Sequence, residues 1–182
     1  MMQGVHPGFP VYCCSAPVCS PNTTNRLDTS PETSIASYCS ADSVISSSLY
    51  KRTPSRAVWA FDYDEKAGEI DLNSRRTVVD FTGFAPEEGG PDGMTVDAEG
   101  KLWVAQWGGC RVCRYDEITG EKLMQVDVPA PCTSCPTFGG EKLDKLFITT
   151  AGFGKEKFPE AGSLFVADVG VCGRKANRFG RE

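Results

Sequence analysis

A strand motif that recurs at intervals near 50 residues limits what this chain can fold into more than any other feature. Arg56-Ala57-Val58-Trp59-Ala60-Phe61-Asp62 matches Cys110-Arg111-Val112-Cys113-Arg114-Tyr115-Asp116, and Gly162-Ser163-Leu164-Phe165-Val166-Ala167-Asp168 is a weaker third copy. Val58, Val112 and Leu164 are 54 and 52 residues apart, and each is followed four positions later by an Asp. A second series precedes them: Leu49-Tyr50, Leu102-Trp103-Val104-Ala105 and Leu146-Phe147-Ile148-Thr149. Each unit reads as strand, short loop, strand, then a turn after the Asp. Turn signals at Ala67-Gly68, Glu99-Gly100, Thr119-Gly120 and Gly139-Gly140 separate the runs, and no long amphipathic helix interrupts them. A period of this length built from several strands is the sequence signature of a propeller blade. A blade buries its faces only against its neighbours, so about two and a half units are too few for a closed ring.

Composition divides the chain at residue 48. Residues 1–48 hold ten Ser, four Thr and five Pro, with one Arg and no Lys, and no apolar period runs through them. Such a segment buries too little apolar surface to offset the entropy of ordering, so 1–48 is expected to be a low-complexity, mostly disordered segment. Residues 49–182 are expected to be the all-β part.

The net charge of −5 and the lack of any basic run argue against a nucleic-acid partner. No stretch approaches the 18 apolar residues of a membrane span. The first ten residues show no basic leader or sustained apolar segment, so the default expectation is the cytoplasm, with free thiols. His6, the single histidine, falls in the low-complexity segment, away from any cysteine nucleophile.

Nine cysteines include Cys110-x2-Cys113 and, 18 residues on, Cys132-x2-Cys135, which fits a zinc-ribbon spacing. Geometry argues against it. If Cys110 and Cys113 share the strand that aligns with Val58–Phe61, residues three apart point to opposite faces. The second pair is compatible with a turn. The competing reading makes all four small packing residues.

A quieter signal is Gly89-Gly90-Pro91-Asp92-Gly93-Met94-Thr95-Val96-Asp97. It sets one carboxylate at the threshold of a strand, with Pro91 restricting the approach and Gly93 allowing close contact with a ligand. Pro-Asp-Gly alone is usually a turn.

The block from Pro91 to Ala105, then Trp107-Gly108-Gly109 and Arg111-Val112, resembles the regucalcin/gluconolactonase (senescence marker protein) family. Val58–Asp64, Thr133-Ser134-Cys135 with Phe138-Gly139-Gly140, and Ala161–Phe165 with Asp168-Val169-Gly170 extend the resemblance from Leu49 to the C-terminus. It implies a partial β-propeller, about two to three blades of a six-bladed family fold. It also implies a divalent ion, Ca²⁺ or Zn²⁺, on the axis, and hydrolysis of sugar lactones by polarising the carbonyl and preparing a water. The family's ion is held by a Glu, by an Asn followed by Gly, and by the Asp of Pro-Asp-Gly. Only the last carries over, onto Asp92. No Asn occurs between Asn25 and Asn73, and Lys51–Ser55 departs from the acidic loop usual there.

Asp92 is therefore the expected metal ligand by resemblance. Gln106 and Trp107 are candidates for the substrate-pocket mouth, Trp107 as a platform for a sugar face or as a packing residue. The resemblance implies a gluconolactonase-like or Ca-binding protein present as a partial and impaired copy. The alternative is a non-catalytic fragment that associates through unpaired blade edges.

Overall fold

A computed structural model of the chain describes residues 11–14, 35–40, 43–48, 56–64 and 69–175. After β1 (Val11–Cys14), a leading sheet runs β2 (Ile35–Ser40), β3 (Ser43–Ser48), β4 (Ala57–Asp64) and β5 (Glu69–Asp80). A 3-10 turn at Pro86–Glu88 leads into the middle sheet: β6 (Gly90–Val96), β7 (Leu102–Trp107), β8 (Arg111–Tyr115) and β9 (Lys122–Asp127). The third sheet is β10 (Thr133–Gly139), β11 (Lys145–Thr150) and β12 (Leu164–Asp168), with β1 added antiparallel beyond β12.

Each of the three sheets is antiparallel and four-stranded, as a propeller blade should be; the first two are meanders of consecutive strands, the third is a β10–β11–β12 meander completed by β1, and among the described residues they do not close into a ring. The edge strands β2, β6 and β10 lie side by side, so they form the inner rim, while β5, β9 and β1 lie at the outer edges.

The middle sheet is buried on both faces, and β7 shows why its sequence is a continuous apolar run. Leu102 and Val104 join Val58, Ala60, Phe81 and Tyr115 in a core toward the leading sheet. Trp103 and Ala105 join Leu146, Ile148 and Phe165 in a core toward the third sheet. Strand alternation sends successive residues to opposite faces, and here both faces are interior. Each fully buried Leu, Ile or Phe contributes about 1.5–3 kcal/mol of transfer free energy, so these two layers supply most of the stability.

The repeat predicted from the sequence is visible in the pairing. β3 pairs with β4 as β7 pairs with β8 and β11 with β12. The turn expected after each Asp forms at Asp116, whose carboxylate accepts the Ile118 and Thr119 amides, and at Asp168, which accepts the Gly170 amide. Asp62 differs. β4 continues through Asp64, and Asp62 stays within the strand, exposed and paired with Arg76 at 2.8 Å.

Strands occur on both sides of the expected boundary at residue 48. β1, β2 and β3 fall in the Ser-rich segment, and β3 occupies the blade position assigned from sequence to Leu49-Tyr50. Main-chain pairing with β4 satisfies strand backbones whatever their side chains, which composition does not register. Leu49-Tyr50, the Lys51–Ser55 loop, the Ala67-Gly68 turn and His6 lie outside the described residues. No helix among the described residues is long and apolar enough to cross a membrane.

The segment after β12 returns to the middle sheet. Asp97 bridges Gly173, the Ala98 amide donates to Cys172 O at 2.8 Å, and Arg174 Nε donates to Asp97 O at 3.1 Å. This return ties the third sheet to the β6–β7 turn.

Candidate functional site

Asp92 sits on the inner-rim strand β6, within a bulge. Pro91 pairs with Gln106 and Met94 with Val104, so Asp92 and Gly93 together face Ala105 alone. A bulge re-aims the side chain at its extra residue. Here it turns a residue of a regular ladder into one presented at the rim, and this is why Asp92 stands apart from the alternation of β6.

Three close approaches hold that bulge. The Arg56 guanidinium donates to Gly89 O just before the strand. Gly89, at φ 75°, lies against Trp107 O and Gly109 N, where any Cβ would sit at 2.5 Å. A Cβ on Gly93 would meet Ser134 O at 2.6 Å and the Cys135 Cβ at 2.8 Å. The sequence reading gave Gly93 to a ligand, but the close partner is the neighbouring strand β10. Gly93 lets β6 and β10 abut, and so sets how far Asp92 stands from the third sheet.

Asp92 is half-buried, and loss of hydration pushes its carboxyl up from 3.8 to about 6, offset in part by a bond from the Gly93 amide. Cys135 is exposed as a residue, yet partial desolvation and then the Asp92 charge raise its thiol. Asp92 and Cys135 therefore share one electrostatic environment across the β6–β10 junction. A half-desolvated carboxylate of this kind binds a proton near neutrality and releases it to a cation.

The two pocket candidates separate. Trp107 ends β7 at the same end of the sheets as Asp92, half-exposed, with its ring 6.1 Å from Phe153 in an edge-to-face pair. Gln106 is interior, 1 % exposed, with Nε2 donating to Tyr115 Oη at 3.0 Å and Oε1 accepting from the Cys113 thiol at 3.4 Å. Strand alternation explains the split: Gln106 follows Leu102 and Val104 into the core beside the leading sheet, and Trp107 follows Trp103 and Ala105 toward the third sheet. Sequence reasoning missed Phe153, whose only signal was its place in a Gly-rich loop.

The four cysteines of the ribbon spacing do not converge. Cys110 is the last residue of the β7–β8 turn, at φ 54°, not part of the strand that begins at Arg111. Cys113 is buried on β8, where burial pushes its thiol to about 11. Cys132 is buried opposite Trp107, and Cys135 lies beyond a register shift in β10.

Among the described residues no group of three His, Cys, Asp or Glu side chains could hold a metal ion. A hard cation such as Ca²⁺ uses six to eight oxygens. Asp92 fits one arm of such a shell, and the described residues do not fit the whole of it.

Residues 45–152 match the family described as the SMP-30/gluconolactonase/LRE-like region. The chain is similar to human regucalcin, 42% identical over 125 residues that make up 65% of this chain and 40% of that protein. Regucalcin of Danio rerio is 47% identical over 123 residues, 64% of this chain and 40% of its own length. The chain thus spans about 40% of the length of these relatives. Among solved structures, a luciferin-regenerating enzyme superposes with a TM-score of 0.64 at 29% identity, over 80% of this chain and 47% of that one. A calcium-binding regucalcin from Agrobacterium tumefaciens gives 0.64 and 29%, over 78% and 47%. The bulged Pro-Asp-Gly strand, the blade-like meanders and these matches agree: the chain belongs to the SMP-30/gluconolactonase/LRE-like family.

Proposed function

We propose that this chain carries the Asp92 arm of a gluconolactonase-type divalent-metal site and, as a single copy, holds the cation too weakly to hydrolyse a sugar lactone. One observation carries the reading: Asp92 is lifted out of the β6 ladder by a bulge, at the inner rim, half-desolvated and with its carboxyl raised to about 6. Such a carboxylate gains more from a nearby cation than a fully hydrated one would. A divalent ion, when bound, would polarise a lactone carbonyl. Asp92 contributes a ligand oxygen, Gly93 fixes its depth, and Trp107 offers an apolar ring face at the same end of the sheets.

The chain holds one of the carboxylate and amide ligands that the family resemblance implies, and each missing ligand lowers affinity. The test is titration of sub-micromolar chain with Mn²⁺ or Ca²⁺, alongside pH-stat assay of gluconolactone hydrolysis. Weak binding, on the order of millimolar, that disappears in Asp92→Asn is expected, with hydrolysis at the uncatalysed rate. Tight binding that survives Asp92→Asn would overturn the reading.

A further inference from the structure

We propose that Cys110 and Cys132 form a reversible disulfide that ties the β7–β8 turn to the connection between β9 and β10.

The backbone brings the two residues to one place. Gln106 and Arg111 are paired across the β7–β8 hairpin, so Trp107 and Cys110 are the next positions on its two sides. Cys132 bridges Trp107 as an antiparallel partner, which sets those two Cα atoms about 4.5–5.5 Å apart. The Gly108 amide donates to Pro131 O at 2.7 Å, and the Val128 amide donates to Cys110 O at 2.8 Å. The connection from β9 to β10 is thus fastened along the turn at both ends, with Cys110 at one end and Cys132 at the other. Both thiols are free in the structure. Burial raises the Cys110 thiol, Arg111 lowers it, and the nearby Cys132 sulfur raises it further. Cys113 faces Gln106 and Gln125 instead, and Cys135 answers to Asp92.

Cys110 also occupies backbone that does not suit it. Its φ of 54° lies in the left-handed region, where a Cβ is strained and glycine is not. A strained side chain beside a second thiol points to a use for the sulfur.

The bond forms by a balanced exchange with a peroxide. Cys110 is half-exposed and Cys132 nearly buried, so the oxidant meets Cys110 first. Its sulfur takes one oxygen of the peroxide and becomes a sulfenic acid, while the other oxygen leaves as water. The Cys132 sulfur then attacks the Cys110 sulfur, the S–S bond forms, and the hydroxyl leaves with the Cys132 proton as a second water. A thiol reductant reverses the bond. Closing it braces Trp107, whose carbonyl lies against Gly89 at the entry to β6. The bond makes no use of a cation at Asp92, so it stands or falls apart from the reading above.

Peptide mapping of the full chain tests the pair. The folded protein is treated with hydrogen peroxide, then unfolded in urea, alkylated and cut with trypsin without reductant. Trypsin separates residues 102–111 from residues 123–142. These two peptides are expected joined, with fragmentation placing the bond at Cys132 and not Cys135, and dithiothreitol should release them. Cys110→Gly should abolish the joined peptide while the reduced variant keeps a urea midpoint no lower than wild type, because glycine relieves the left-handed strain. If that variant fails to fold, Cys132→Ala removes the other sulfur and should abolish the joined peptide equally. Oxidised wild type should exchange amide hydrogens more slowly over residues 106–111 than the reduced chain, a difference absent from either variant. A Cys110 that is still alkylated after peroxide, that ends as a sulfinic acid, or that is joined to any other cysteine overturns the proposal.

Discussion

Arg114 Nε donates to Asp97 Oδ2 at 2.8 Å, and that carboxylate has no exposure to solvent. Oδ2 also accepts Trp103 Nε1 at 2.9 Å, and Oδ1 accepts the Glu99 and Lys101 amides. One carboxylate thus closes the β6–β7 turn and anchors the aromatic side chain that fills the core toward the third sheet. Its backbone carbonyl receives Arg174 from the returning C-terminal segment. Removing one partner from a buried ion pair leaves the other charge uncompensated.

Asp97→Ala should therefore destabilise the fold by about 3–5 kcal/mol. Urea denaturation followed by Trp fluorescence measures it. Asp62→Ala, whose carboxylate pairs with Arg76 at the surface, is the comparison and should cost far less. Equal losses in the two variants would refute the central place given to Asp97.

Asp92 makes stability depend on pH in an unusual direction. Its folded carboxyl titrates near 6, above the ordinary 3.8, so the fold favours the protonated form. The contribution is fully present below about 3.8, is lost as pH rises through about 6, and stays lost above that. In a chelating buffer, Asp92→Asn should remove this slope and gain about 1 kcal/mol at pH 7.5, after discounting for solvent screening. Urea midpoints for both proteins between about pH 4 and about pH 7.5, the span over which the carboxyl titrates, provide the check. A mutant that is less stable at neutral pH would contradict the desolvation argument.

Gly93 and Gly83 offer a matched pair of substitutions. A Cβ at Gly93 would lie 2.6 Å from a backbone oxygen of β10, whereas a Cβ at Gly83 would have nothing within 4 Å. Gly93→Ala should cost about 1–3 kcal/mol through overpacking and should weaken any cation binding by Asp92. Gly83→Ala should lie within about 0.5 kcal/mol of wild type. Thermal melts of the two variants beside wild type decide the matter.

The blade pattern was legible because strand periodicity and turn residues are local signals, and Val58, Val112 and Leu164 each carry them. Asp92 was legible as a candidate through its flanking block, but the bulge that presents it was not. A bulge is set by pairing between β6 and β7, and nothing within Pro91-Asp92-Gly93 encodes the partner register. Gln106 and Trp107 are adjacent polar and aromatic residues at a strand end, and sequence treats them alike. Only the burial of the middle sheet on both faces sends Gln106 to Tyr115 and leaves Trp107 beside Phe153. The strands in the first 48 residues escaped composition for a related reason: edge pairing is a property of the partner strand as much as of the segment itself.

The thiols give a readout of the same architecture. Cys113 is buried between Gln106 and Gln125, and burial raises its thiol to about 11, so at neutral pH it holds almost no thiolate. The thiolate is the reactive species, and Cys113 also lacks access. Cys172, exposed in the C-terminal return, has no such shield. Brief iodoacetamide treatment of the native chain at pH 7.5 (roughly a unit below an ordinary thiol's pKa), followed by peptide mass spectrometry, should find Cys172 modified and Cys113 untouched. Urea should erase the difference, because unfolding exposes both sulfurs and returns Cys113 to an ordinary acidity. Native labelling of Cys113 at the rate of Cys172 would mean that β8 is not held between the two cores as described.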